Sequence, residues 1–117
     1  MSEKELSVAG TDWTLIRYGD KELPEAVSVT FMYDPEQGRI AGRSGCNRYF
    51  GPATMGKEKM EVGVLAGTRR MCPPPMMEVE AAFLKMLQTA GTYSIDNDRL
   101  VIDCAGDQQL VFQPAAG

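Results

Sequence analysis

The chain contains no histidine. This removes the commonest general base, the commonest metal ligand and the usual partner of a nucleophilic serine or cysteine. Catalysis would have to rest on carboxylates, lysine or cysteine alone. No Gly-x-Ser-x-Gly elbow and no phosphate-binding loop is present. The reading is of a non-enzyme that uses no cofactor. Long apolar runs are also missing, and none approaches the ~20 residues needed to span a bilayer. The opening Met1-Ser2-Glu3-Lys4-Glu5 lacks the apolar core of a signal peptide.

Positive charge is in deficit. Twelve Lys and Arg face sixteen Asp and Glu, for a net charge of −4 and a pI near 4.8. Such a surface repels nucleic acid unless the basic residues cluster. Here they are scattered, and Arg69-Arg70 is the only adjacent pair. Cysteine is scarce and odd in number: Cys46, Cys72 and Cys104, with no Cys-x-x-Cys pair. That spacing does not suit zinc. One disulfide plus a thiol, or three buried thiols, both fit the count.

What is present reads mostly as strands. At 117 residues the chain is one domain. Trp13–Tyr18 is aromatic and β-branched and ends at the turn Gly19-Asp20. From Val27 to Tyr33 apolar and polar residues alternate, so that Val27, Val29 and Phe31 face one side. Asp34–Gly38 is a hairpin connection and Arg39–Arg43 its return strand. Gly42 and Gly45 are positions for a bulge or a close backbone approach. Further strands are expected at 48–53 and 59–65. A three-stranded meander follows over 92–95, 100–104 and 109–112, with polar turns.

One segment departs from this pattern. After Pro73-Pro74-Pro75, residues 76–90 lack Gly and Pro. Val79, Phe83, Met86, Leu87 and Ala90 fall on a single helical stripe. Prolines pre-set the first turn, Glu78 and Glu80 favour the helix dipole, and Gly91 terminates. The expected fold is mainly β: a small, partly open antiparallel β-barrel covered by one helix near residues 76–90. The domain is placed at 11–114, after an N-terminal tail or leader over 1–10.

The run Gly45-Cys46-Asn47-x-x-x-Gly51 is followed by Thr68-x-x-Met71-Cys72, then Met76, Met77 and Glu80-x-x-Phe83-x-x-x-Leu87. With Trp13, Tyr93, Leu100 and the closing Gly106-x-x-Leu110-x-Phe112, this resembles the META/HslJ family over roughly residues 11–113. The resemblance implies a lipocalin-like barrel with a helix. It implies a stress- or heat-shock-associated domain, often in envelope lipoproteins, without an established enzymatic activity. The expected role is interaction with a protein partner. The alternative is carriage of a small hydrophobic ligand or acyl chain in the barrel. The expected location is the cell envelope or periplasm if the sequence is a trimmed mature part, and the cytoplasm otherwise. A monomer is expected, since nothing demands an oligomer.

Within that resemblance, Cys46 and Cys72 would form a disulfide in an exported protein. Closing a loop of about 25 residues gains on the order of 3 kcal/mol in a chain-entropy model. In a reducing compartment they would be two buried thiols. Asn47 reads as a turn residue whose amide bonds backbone, with a binding role as the rival reading. Asp96, Asp98 and Asp103 lack the glycine and further oxygen ligands of a calcium loop. Arg69-Arg70 could meet an anionic group, although a solvated face is the default. Met55, Met60, Met71, Met76, Met77 and Met86 suit either core filling around the helix or an adaptable binding surface.

Overall fold

The computed structural model describes residues 7–115. The N-terminal half contributes β1 (Trp13–Tyr18), β2 (Lys21–Glu22), β3 (Thr30–Asp34), β4 (Arg39–Arg43), β5 (Arg48–Met55), β6 (Met60–Val62) and β7 (Ala66–Gly67). The helix α1 (Pro74–Gln88) follows, and then β8 (Thr92–Asp96), β9 (Arg99–Cys104) and β10 (Gln108–Pro114). Every ladder is antiparallel, in the order β6-β5-β4-β3-β1-β10-β9-β8, with β2 on β1 and β7 on β5.

The two ends of this order curl toward each other. Lys59 bridges Thr92, Met60 N–H donates to Gly91 O at 3.0 Å, and Tyr93 N–H donates to Glu58 O at 2.9 Å. The result is a nearly closed eight-stranded barrel, as the alternation and the turn spacing predict. Closure removes sheet edges that would otherwise invite pairing with another chain. The turns use the expected chemistry. Asn97 and Asp98 both take positive φ between Asp96 and Arg99, a two-residue hairpin loop.

Helix α1 packs on the barrel core, with Glu80 bonded to the segment between β4 and β5 and Gln88 to the chain at 63–65. Its stripe buries Val79, Phe83 and Leu87. The Phe83 ring centroid lies 5.4 Å from that of Tyr49 and 6.3 Å from that of Phe112, which in turn lies 5.4 Å from Phe31. Burial of each such side chain contributes about 2 kcal/mol relative to exposure.

Three details differ from the sequence-based expectation. The helix starts two residues earlier, at Pro74, so neither Glu78 nor Glu80 lies in its first turn. It ends at Thr89, whose hydroxyl donates to Met86 O at 2.8 Å, and Gly91 instead gives its N–H to Asp103 O. Packing also begins before residue 11. Val8 is buried in the core, and its carbonyl accepts the Trp13 indole N–H at 3.3 Å. Residues 1–6 of the expected tail lie outside the described residues.

Candidate functional site

The loop between β4 and β5 has a conformation that depends on Gly45. Its φ of +121° is disfavoured for any residue with a Cβ, and a Cβ there would stand 3.1 Å from Met76 O. The turn aims two successive amides, Cys46 N–H and Asn47 N–H, at one point. Glu80 Oε1 occupies that point, accepting from Cys46 at 3.2 Å and Asn47 at 2.7 Å. The Ser44 hydroxyl lies 2.8 Å from the same oxygen. The other oxygen, Oε2, accepts from Asn47 Nδ2 at 2.9 Å.

Asn47 extends the network to a second segment. Its Oδ1 accepts from Arg70 N–H at 2.6 Å and from the Thr68 hydroxyl at 3.0 Å. Its Nδ2 also donates to Arg70 O at 3.2 Å. Its amide therefore bonds backbone, as expected of the residue type, but across the fold and not within its own turn. Cys46 and Cys72 are joined as a disulfide with their Cα atoms 6.0 Å apart, an ordinary separation for the linkage. The segment from Thr68 to Cys72 is thus pinned on both sides of Met71.

Burial would push the Glu80 carboxyl up. The hydrogen bonds from the Asn47 side chain and backbone, the Ser44 hydroxyl and the Cys46 amide outweigh it and hold Glu80 below the usual range. Every buried side-chain polar atom among the described residues has a partner. This is an anion site already filled by the protein's own carboxylate.

Of the residues singled out by sequence, Gly45, Cys46, Asn47, Thr68, Met71 and Cys72 come together here. Gly51 does not. It stands on β5 against Val64, where a Cβ would meet Val64 O at 2.7 Å. Glu80, the hub of the arrangement, stands in the sequence reading as a helix-dipole partner and as one position of the family pattern, with no binding role. Its signal was visible in the spacing Met76, Glu80, Phe83, Leu87: a carboxylate interrupting a buried helical stripe.

The sequence profile of the META domain covers residues 5–117, which spans this whole arrangement. The chain belongs to the META domain family. None of the curated proteins matches this META domain in sequence. Among solved structures, it superposes on a protein from Burkholderia xenovorans with a TM-score of 0.76 at 23% identity, covering 100% of this chain and 97% of that one. A second protein solved by NMR gives 0.71 at 21% identity, over 93% and 95% of the two chains. A DUF4847 family protein from Bacteroides vulgatus gives 0.65 at 11% identity, over 91% and 93%. At these identities the likeness is one of fold. The META family is not known for enzymatic activity.

Beside the hub, a surface groove of about 400 Å³ runs between α1 and the chain leading into it. Leu65, Met71, Met77 and Leu84 line it together with Arg69 and Arg70. The remaining methionines divide. Met60 is buried, Met55, Met76 and Met86 pack against the core, and Met71 is 88% exposed. No helix among the described residues is long and apolar enough to cross a membrane. No group of three or more Cys, Asp or Glu among them is placed to hold a metal ion.

Cys104 lies apart from this site, half-buried on β9. Burial, reinforced by the neighbouring Asp103 charge, pushes its thiol up to about 11, against a smaller opposing effect of the Thr89 hydrogen bond. Its thiolate fraction at pH 8 is correspondingly small. Alkylation of native protein prepared without reductant should leave Cys46 and Cys72 unmodified and label Cys104 slowly, at least tenfold more slowly than after unfolding. Peptide mass mapping reads both results. Rapid labelling of Cys46 and Cys72 would sink the disulfide.

Proposed function

We propose that this META domain acts without catalysis, as a docking module for a protein partner in an oxidising compartment such as the cell envelope. The observation that carries the reading is Met71. Its side chain is 88% exposed, yet the backbone on one side is held by two Asn47 bonds to Arg70 and on the other by the Cys46–Cys72 link. A large apolar side chain held in water on a rigid support is already arranged for a partner, and binding then orders little further chain. Val64, 83% exposed, and the groove beside α1 extend the apolar surface. A disulfide within the support fits an exported protein.

The barrel interior is filled by Trp13, Phe31, Tyr49, Phe83 and Phe112, each at most 2% exposed. This supports action at the surface over carriage of a ligand inside. The test is mild crosslinking and affinity recovery from the source cells. A defined partner is expected with the wild-type domain, reduced at least tenfold by Met71→Asp, while the melting temperature stays within about 2 °C because the side chain is largely in solvent. Recovery of the domain alone, or equal recovery by the variant, would count against the reading.

A further inference from the structure

The outer face of the sheet carries two unlike rows, one side-chain alternation apart. In the first, Arg43 on β4 stands directly opposite Arg48 on β5. The row continues to Thr68, whose hydroxyl accepts from Arg48 N–H at 3.1 Å, and the chain then runs on through Arg69 and Arg70. In the second row, Met32 pairs with Ala41, Ala41 with Phe50, and Phe50 with Ala66. Met32 and Phe50 are 43% and 42% exposed, and the Arg39 guanidinium sits 5.4 Å from the centre of the Phe50 ring. At the far end of the face, Arg39 is opposite Asp34, an ordinary pairing of opposite charges.

Like charges directly opposite on a sheet destabilise it. A chain of net charge −4 has carboxylates in surplus, yet two arginines face each other here. Two arginines in register on adjacent strands bring two guanidinium groups within reach of one carboxylate, which arginine binds through paired hydrogen bonds. The apolar row lies about 6.7 Å away along the strand direction, the distance between residues i and i+2 of an extended chain.

We propose that this face docks an extended acidic segment of the partner protein. A carboxylate at position i lies between Arg43 and Arg48, and an apolar or aromatic side chain at i+2 lies on Phe50 and Met32. The inference rests on the protein-docking reading above and adds to it the chemistry of the partner. Anionic lipid shares the carboxylate's charge, but an extended peptide alone places an apolar side chain at the fixed two-residue spacing that matches the Met32 and Phe50 row.

The probe is a capped, fluorescein-labelled peptide of nine residues. It carries glutamate at i and phenylalanine at i+2 in a serine-glycine background, and binding is read by fluorescence anisotropy against the full chain. Saturable binding is expected that weakens with added salt, at least tenfold with the double variant Arg43→Glu, Arg48→Glu, and about threefold when the phenylalanine is moved to i+3. The double variant exchanges one like-charge pair for another on an exposed face, and its circular dichroism melt confirms the folded state.

Equal binding of a glutamine-substituted peptide, or equal binding by the double variant, overturns the proposal. So does capture of the domain by phosphatidylglycerol vesicles together with no binding of the peptide. If a crosslinked partner depends on Met71 while the peptide ignores Arg43 and Arg48, the acidic-segment assignment fails and the docking reading stands. If the peptide discriminates as described while no partner is recovered from cells, the assignment of the face is supported and the Met71 reading fails.

Discussion

Glu80→Ala should destabilise the domain by about 4 kcal/mol. The substitution leaves Cys46 N–H, Asn47 N–H and one Asn47 Nδ2 hydrogen without their acceptor in a buried site, and deprives the Ser44 hydroxyl of its carboxylate. Each unsatisfied buried donor costs about 1–3 kcal/mol, and the costs do not add in full because the loop relaxes. Glu80→Gln should cost about half as much. Its carbonyl replaces Oε1, whereas its amide places two N–H groups against the Asn47 amide. Urea unfolding gives both values, and a loss under 1 kcal/mol for Glu80→Ala would show that the carboxylate does not organise the loop.

The same carboxylate sets an acid limit. Its folded-state pKa is depressed, so its contribution is complete above the unfolded glutamate value of about 4.3 and is lost as pH falls from there through the folded value. Wild-type stability should therefore fall below about pH 5 more steeply than that of Glu80→Gln, and the two curves should converge at the acid end.

Gly42→Ala should cost about 3–4 kcal/mol. A Cβ at residue 42 would stand 2.3 Å from Thr30 O and 3.0 Å from the Tyr49 hydroxyl. These two groups bond each other at 2.8 Å, and Thr30 belongs to backbone that cannot yield as a side-chain end would. Burial pushes the Tyr49 phenol well above its ordinary value, so its proton stays in place as the donor. The added methyl would part β3 from β4 and leave the phenol unpaired inside the barrel. A double-mutant cycle isolates the mechanism. Tyr49→Phe alone should cost about 1–1.5 kcal/mol, and close to nothing in the Gly42→Ala background. An undiminished cost there would mean that the strands had adjusted without breaking the bond.

The strands were legible in the sequence because alternation and turn residues act locally. Val27, Val29 and Phe31 all face the core as their period requires, although the ladder itself starts only at Thr30. The helix was legible for the same reason, with its first residue misplaced because three consecutive prolines leave the N-cap ambiguous. Among the site residues, Gly42 and Gly45 could be marked as places where a side chain would not fit, though not what each approaches. Thr30 and Met76 are distant in the chain, and periodicity carries no information about such partners. Glu80 was hardest to read. A glutamate beside Glu78 near a helix start has an ordinary electrostatic explanation, and only the turn conformation of Gly45 reveals a set of amides in need of an acceptor. Met71 posed the reverse problem. Its exposure depends on bonds made by its neighbours Arg70 and Cys72, and a local pattern assigns a methionine next to a helix to the core.

The pairing of β1 with β10 brings Trp13 against Pro114. The first strand of the barrel thus finds one of its neighbours only when the last strand exists. On a ribosome, β3, β4 and β5 can zip as consecutive hairpins, but the cylinder stays open until β10 emerges from the exit tunnel. Contacts of such long sequence separation slow folding and prolong the time during which Trp13, Leu15 and Phe112 meet solvent. Truncation by even a few residues at the C-terminal strand would leave the nascent chain with two unsealed margins, a form suited to capture by chaperones and by other unfinished chains.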